Sequence, residues 1–70
     1  MTDHVYKVTE LIGTSTESVT DAIESAIERA SATLRHIGWF EVAQIRGQVT
    51  DGRVAHYQVT LKIGFTLEHG

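Results

Sequence analysis

The sequence predicts an α+β fold of order β-α-β-β, in which a three-stranded sheet of antiparallel type, its third strand central, packs on one amphipathic helix. Three observations carry this. Val19, Ala22, Ile23, Ala26, Ile27, Ala30 and Leu34 fall on one helical stripe. Asp51-Gly52 stands between two runs rich in β-formers, where it signals a tight hairpin. Residues 54–67 alternate apolar and polar side chains along their whole length.

Taken in order, residues 5–12 (Val-Tyr-Lys-Val-Thr-Glu-Leu-Ile) predict a first strand, broken by Gly13-Thr14-Ser15-Thr16. Ser18 opens the helix, with Asp21 three residues on to form a capping box. Glu24, Ser25, Glu28, Arg29 and Ser31 lie largely opposite the apolar stripe. The stripe predicts a helix of about 18 residues, reaching His36 or Ile37 with Gly38 as its stop.

Residues 39–50 predict the second strand. Phe40 and Val42 lie in one phase and Ile45 and Val49 in the other, so a bulge near Ala43-Gln44 is expected to switch the facing. In the third strand Ala55, Tyr57, Val59, Leu61, Ile63, Phe65 and Leu67 alternate with His56, Gln58, Thr60, Lys62, Gly64 and Thr66. Tyr57 and Phe65 share the apolar phase and are expected to pack against the helix. A helical crossover makes the first two strands parallel, and the hairpin makes the third antiparallel to its neighbour. Centrally placed, the third strand pairs antiparallel on both sides.

The chain of 70 residues reads as a single domain, 1–70. A domain this small buries only about 60% of the surface its unfolded chain exposes. With no cysteine, disulfides and thiolate zinc sites are excluded. His4, His36, His56 and His69 have no ligand-like spacing, so no metal site is expected. Self-association is the remaining source of stability. One helix also cannot cover three strands this long, which leaves a sheet face for a partner.

The formal net charge of −3 argues against nonspecific nucleic-acid binding, which relies on Lys and Arg neutralising phosphates. No apolar run approaches the roughly 20 residues of a membrane span, and Met1 to Lys7 lack a signal-peptide pattern. A cytoplasmic protein is the expectation. There is no cysteine nucleophile, no glycine-rich phosphate loop and no carboxylate pair spaced for acid–base work, so an enzyme is not expected.

Trp39 is the only tryptophan, and by itself it reads as a core or interface anchor. Gln58 lies in the polar phase of the third strand and Arg46 in the second. On sequence alone both are surface residues. Gly47 beside Arg46 permits a bulge or a close backbone approach.

Val5-Tyr6-Lys7, Glu10-Leu11-Ile12-Gly13-Thr14-Ser15, Arg35-His36, Trp39-Phe40-Glu41-Val42, Ile45-Arg46-Gly47, His56-Tyr57-Gln58-Val59 and Gly64-Phe65 occur in this order over nearly the whole chain. Together they resemble the dodecin family. The resemblance implies twelve copies in a hollow homododecamer that stores flavin and quenches its photochemistry, without catalytic turnover. Flavins (FMN, riboflavin or FAD) would stack in antiparallel pairs between two tryptophans from neighbouring protomers. Trp39 matches the stacking position, and Gln58 matches the glutamine that hydrogen-bonds the flavin's pyrimidine edge. Arg46 matches an arginine that approaches the phosphate of FMN, with Gly47 beside it.

Two positions depart from the family pattern. Thr66 stands where some members carry a second arginine, which keeps riboflavin in contention, and Gly38 stands where many carry an aspartate. A dodecin-like scaffold with a degraded flavin site is therefore the alternative. Some members bind coenzyme A where three protomers meet. Arg29 is the best match to that site here, with Lys7 and Arg35 as further basic candidates. Glu10 is a candidate for an interface ion pair.

Overall fold

The computed structural model describes residues 5–67 and contains β1 (Tyr6–Ser15), α1 (Val19–Ser31), β2 (Ile37–Thr50) and β3 (Arg53–Thr66). The sheet order is β1-β3-β2, with both outer strands antiparallel to β3. This is the expected topology with the third strand in the centre. His4 and His69 lie outside the described residues.

The core is thin and sits between α1 and the middle of the sheet. Val59, Leu61 and Ile63 of β3 are 0% exposed, and they meet Ala22 and Ala26 of the helix. Leu11, Val19, Ile23, Ile27, Leu34 and Ile37 pack around them, half-buried. Alanine on the inner stripe lets the helix lie low on the strands. A Cβ added to the buried Gly13 would stand 2.3 Å from the Ala22 carbonyl oxygen and 2.9 Å from Ala26 Cβ. Any side chain at that position would therefore push the helix off the strand. Tyr57 and Phe65 are half-buried at the two ends of the apolar row.

Three expectations need correction. First, β1 does not break at Gly13; it runs through Gly13, Thr14 and Ser15, which pair with Val59, Gln58 and Tyr57. Those glycine and hydroxyl residues serve close approach and capping, not chain reversal. Second, the helix ends at Ser31, well short of His36. The amides of Thr33 (3.1 Å) and Leu34 (2.7 Å) both donate to the Ala30 carbonyl, tightening the last turn, while Leu34 still reaches the core. A side chain on the apolar stripe thus outlasts the helix itself. Third, Gly38 is not the helix stop but lies inside β2, and the left-handed corner before that strand is His36 at φ 61°.

The helix start follows the sequence closely. Ser18 is the N-cap and its side chain accepts a hydrogen bond from the Asp21 amide at 2.9 Å. The capping box stays half-formed, because the Asp21 carboxylate accepts from Ser15 Oγ at 2.7 Å. Ser15 Oγ in turn accepts from the amides of Glu17 (2.9 Å) and Ser18 (3.3 Å). One buried serine thereby ties the end of β1 to the start of α1.

At the hairpin, Asp51 (φ 53°) and Gly52 (φ 73°) both take positive φ, the pattern of a type I′ turn. The register shifts between Val42 and Gln44, where the bulge is expected, and again near Ile37/Trp39 and Gln48/Val49. The β2–β3 hairpin reaches well beyond the helix. The Cα radius of gyration is 14.6 Å, against about 11 Å for a compact domain of this length.

Apolar surface is left uncovered on both faces of the sheet. Phe40, Val42 and Ile45 pair with Ile63, Leu61 and Val59 on the helix side, yet Phe40 is 48% and Ile45 55% exposed. Trp39, Val8 and Ile12 are exposed on the opposite, open face.

Candidate functional site

Register decides which side chains share the open face, because directly paired residues of antiparallel strands point the same way. Across the sheet this face carries Val8–Gly64–Trp39, then Glu10–Lys62–Glu41, Ile12–Thr60–Gln44 and Thr14–Gln58–Arg46. Trp39, Gln58 and Arg46 thus lie on one face, which the chain's own helix leaves bare. The bulge between Val42 and Gln44 makes this possible: it brings Arg46 to the same side as Trp39 although seven positions separate them.

Trp39 lies flat on the sheet. A Cβ built on Gly64 would fall 2.1, 2.2 and 2.6 Å from the indole atoms Cε2, Cζ2 and Cδ2. The benzo ring therefore occupies the space above a backbone that has no side chain. Tyr6 stands beside it, with ring centroids 6.0 Å apart and planes at 59°. One indole face is seated on glycine, an edge is held by a tilted aromatic ring, and 38% of the residue stays exposed. This is the geometry of a stacking surface for a flat aromatic ligand.

Arg46 is exposed and Gln58 half-buried, and they are register partners with Thr14 on the far side of Gln58. Arginine offers a two-pronged donor for an oxyanion, and the glutamine amide offers both a donor and an acceptor. Gly47 pairs with Tyr57 toward the other face, where an added Cβ would stand 3.0 Å from the His56 carbonyl oxygen. What it offers is tight backbone packing of the hairpin.

The chain does not bring the tryptophan and the polar pair together. Gly64 and Gln58 are six positions apart on β3, about 20 Å along a strand. Thr66 pairs with Tyr6, beside the indole and far from Arg46. A Cβ on Gly38 would find Tyr6 Cε1 at 3.5 Å, an ordinary contact, so sterics do not require glycine there.

Arg29 is exposed and lines an open groove between α1 and β1 with Leu11, Ile12, Gly13, Thr14 and Ser25. Lys7 is not near it. It sits opposite Phe65 toward the start of β1, four positions from Leu11 and so about 13 Å along the strand. Glu10 and Glu41 flank Lys62 across the sheet, each directly paired with it. Among the described residues no group of three His, Asp or Glu side chains is arranged to hold a metal, and no helix is long and apolar enough to cross a membrane.

Sequence reasoning missed Gly64, Gly13 and Tyr6 as determinants of this geometry. A glycine inside a strand was the available signal for the first two, since it marks a close approach to something. Nothing in the pattern said that the visitor at Gly64 is Trp39.

Comparison with known proteins places these features in context. A family model described as Dodecin matches residues 5–68. The curated dodecin of Thermus thermophilus is 53% identical over 64 residues, covering 91% of this chain and 93% of the relative. Dodecin from Streptomyces coelicolor superposes with a TM-score of 0.91 at 56% identity over the full length of both chains. Dodecin from Streptomyces davaonensis gives 0.90 at 51% identity, over 97% of this chain and 100% of the other. The chain therefore belongs to the dodecin family, and membership implies a small-ligand binder that forms an oligomeric assembly.

Proposed function

We propose that this protein binds and sequesters flavins, stacking them in pairs between Trp39 residues of neighbouring protomers and protecting against flavin photochemistry. One observation carries the reading: the Trp39 indole lies flat on Gly64 with its outer face open on the uncovered side of the sheet. An isoalloxazine is a flat, electron-poor ring system and indole is the most electron-rich side chain. Offset stacking adds about 0.5–1.5 kcal/mol beyond the area buried. Close contact also allows the electron transfer that quenches an excited flavin.

The distance from Trp39 to Gln58 and Arg46 supports a site built between copies. About 20 Å of strand is more than a three-ring system spans, so a flavin on one protomer's indole would take its polar contacts from another. In that arrangement Gln58 serves the pyrimidine edge and Arg46, with Gly47 packing the strand behind it, serves the phosphate of FMN. The ring stacked between two indoles is closed to a second substrate, which is why storage is preferred to turnover. A homododecamer in the cytoplasm is the corresponding assembly and location.

Fluorescence titration of the purified apoprotein with riboflavin, FMN and FAD tests the proposal. Strong quenching that saturates near one flavin per chain, and is lost in Trp39→Ala with the assembly intact, is the expected result. Unaltered binding by Trp39→Ala would overturn the stacking site. Absence of quenching with all three flavins would leave the scaffold reading.

A second reading concerns coenzyme A. The groove beneath Arg29 is open and carries that cation beside the carboxylate of Glu28, so a phosphate-bearing ligand would need further cations there. Lys7 lies too far along β1 to join it within one chain, so a neighbouring copy would complete such a site.

A further inference from the structure

We infer that Gly64 and Tyr6 are the positioning residues of the flavin site, holding the Trp39 indole in the plane a stacked ring needs before any ligand arrives. The inference rests on the stacking role proposed for Trp39 and adds what gives that role its geometry.

An exposed tryptophan on a strand is ordinarily mobile about two side-chain torsions, and ordering it on binding costs affinity. Here both torsions are constrained. Gly64 is directly opposite Trp39 in the register and buried, although it lies on the open face of the sheet. Its cover is the indole itself: three ring atoms sit 2.1–2.6 Å from where a Cβ would be. Such separations are far inside van der Waals contact, so even alanine must lift or swing the ring. Tyr6 blocks the lateral direction, its ring tilted 59° to the indole at a centroid distance of 6.0 Å, within the range of favourable edge-to-face aromatic pairs. The floor comes from β3, the indole from β2 and the side wall from β1. All three strands are thus needed to aim one ring.

The neighbouring positions rule out a purely backbone reason for the glycine. Gly64 does not take a positive φ, unlike Gly52. It sits mid-strand, where an alternating residue would ordinarily carry a side chain, and the two preceding positions of its phase hold Lys62 and Thr60. The steric need at 64 is therefore the need of Trp39.

The test is Gly64→Ala, with Tyr6→Leu and Tyr6→Phe as companions, read in two ways. Time-resolved fluorescence anisotropy of the single tryptophan reports indole mobility in the apoprotein, and riboflavin titration reports affinity. Gly64→Ala and Tyr6→Leu should each add a fast depolarising component, and Gly64→Ala should weaken riboflavin roughly tenfold. Tyr6→Phe, which keeps the ring, should retain the slow anisotropy of the parent. A folded Gly64→Ala with a rigid indole and parental affinity overturns the inference.

If Gly64→Ala does not fold, the double variant Gly64→Ala/Trp39→Ala decides. Recovery of the fold shows that the clash is with the indole, and continued failure shows that the glycine serves the backbone, against the inference. If the parent protein binds no flavin, the functional proposal falls. The anisotropy arm still rules on whether Gly64 and Tyr6 hold the ring.

Discussion

Arg46 of β2 and Gln58 of β3 face each other directly across the open face of the sheet, six positions of β3 away from the glycine beneath Trp39. The two are close enough to serve one ligand and too far from their own tryptophan to serve the same one. Under the proposed function an exposed arginine would serve a phosphate and a half-buried amide a ring edge, and the two contributions separate experimentally.

Arg46→Ala should weaken FMN while leaving riboflavin nearly unchanged. Hydrogen bonds to charged groups contribute about 1.5–3 kcal/mol, so FMN affinity should fall by a factor on the order of 10 to 100. The gap between the two ligands should narrow as salt is added, because Arg46 is solvent-exposed. Isothermal titration of both ligands at two salt concentrations checks this. Equal losses for riboflavin and FMN would remove the phosphate from its assigned partner.

Mixing should rescue binding if the site is shared between copies. Trp39→Ala lacks the stacking surface and Gln58→Ala the polar edge, yet a two-fold interface between the two variants contains one half-site with both groups intact. Co-refolded mixtures should bind more riboflavin than either variant alone, by fluorescence quenching. Mixtures no better than the average of the parents would show that Trp39 and Gln58 do not meet across an interface.

Charge placed on the uncovered helix-side surface of β2 should break the assembly. Ile45 is 55% exposed in the single chain but lies in the apolar row with Val59, the kind of surface that marks a contact site. Ile45→Lys should shift the sedimentation coefficient to a smaller species and abolish flavin quenching with it. A full-size assembly carrying Ile45→Lys would mean that this surface is not part of a contact between copies.

Gly13→Ala should destabilise without touching the ligand. The added carbon would collide with the Ala22 carbonyl and with Ala26 Cβ, and overpacking of this kind costs about 1–3 kcal/mol. Each kcal/mol moves Tm by roughly 4–8 °C in a domain of this size. Scanning calorimetry at fixed protein concentration should show a fall of at least that order. An unchanged Tm would mean that the helix can ride up on β1 at no cost.

Much of this molecule is legible in one dimension. The three-four spacing of Val19 to Ala30 specifies a helix, the alternation of 54–67 specifies the central strand, and Asp51-Gly52 specifies the turn between two strands. These are periodicities and local turn preferences, which act between residues near in sequence. The bulge near Ala43-Gln44 was readable for the same reason, as a change of phase within one strand.

Other features were settled only by contacts between distant residues. The helix stops at Ser31 because the turn after it closes on Ala30, although Leu34 keeps the apolar spacing. Gly13 stays in β1 because α1 sits on top of it, and Gly38 joins β2 because His36 takes the left-handed corner. Above all, the family resemblance singled out Trp39, Gln58 and Arg46, and nothing in the sequence said how they stand to one another. Their common face, their separation and the seat of the indole on Gly64 follow from strand register, and register is fixed only when β1, β2 and β3 pair.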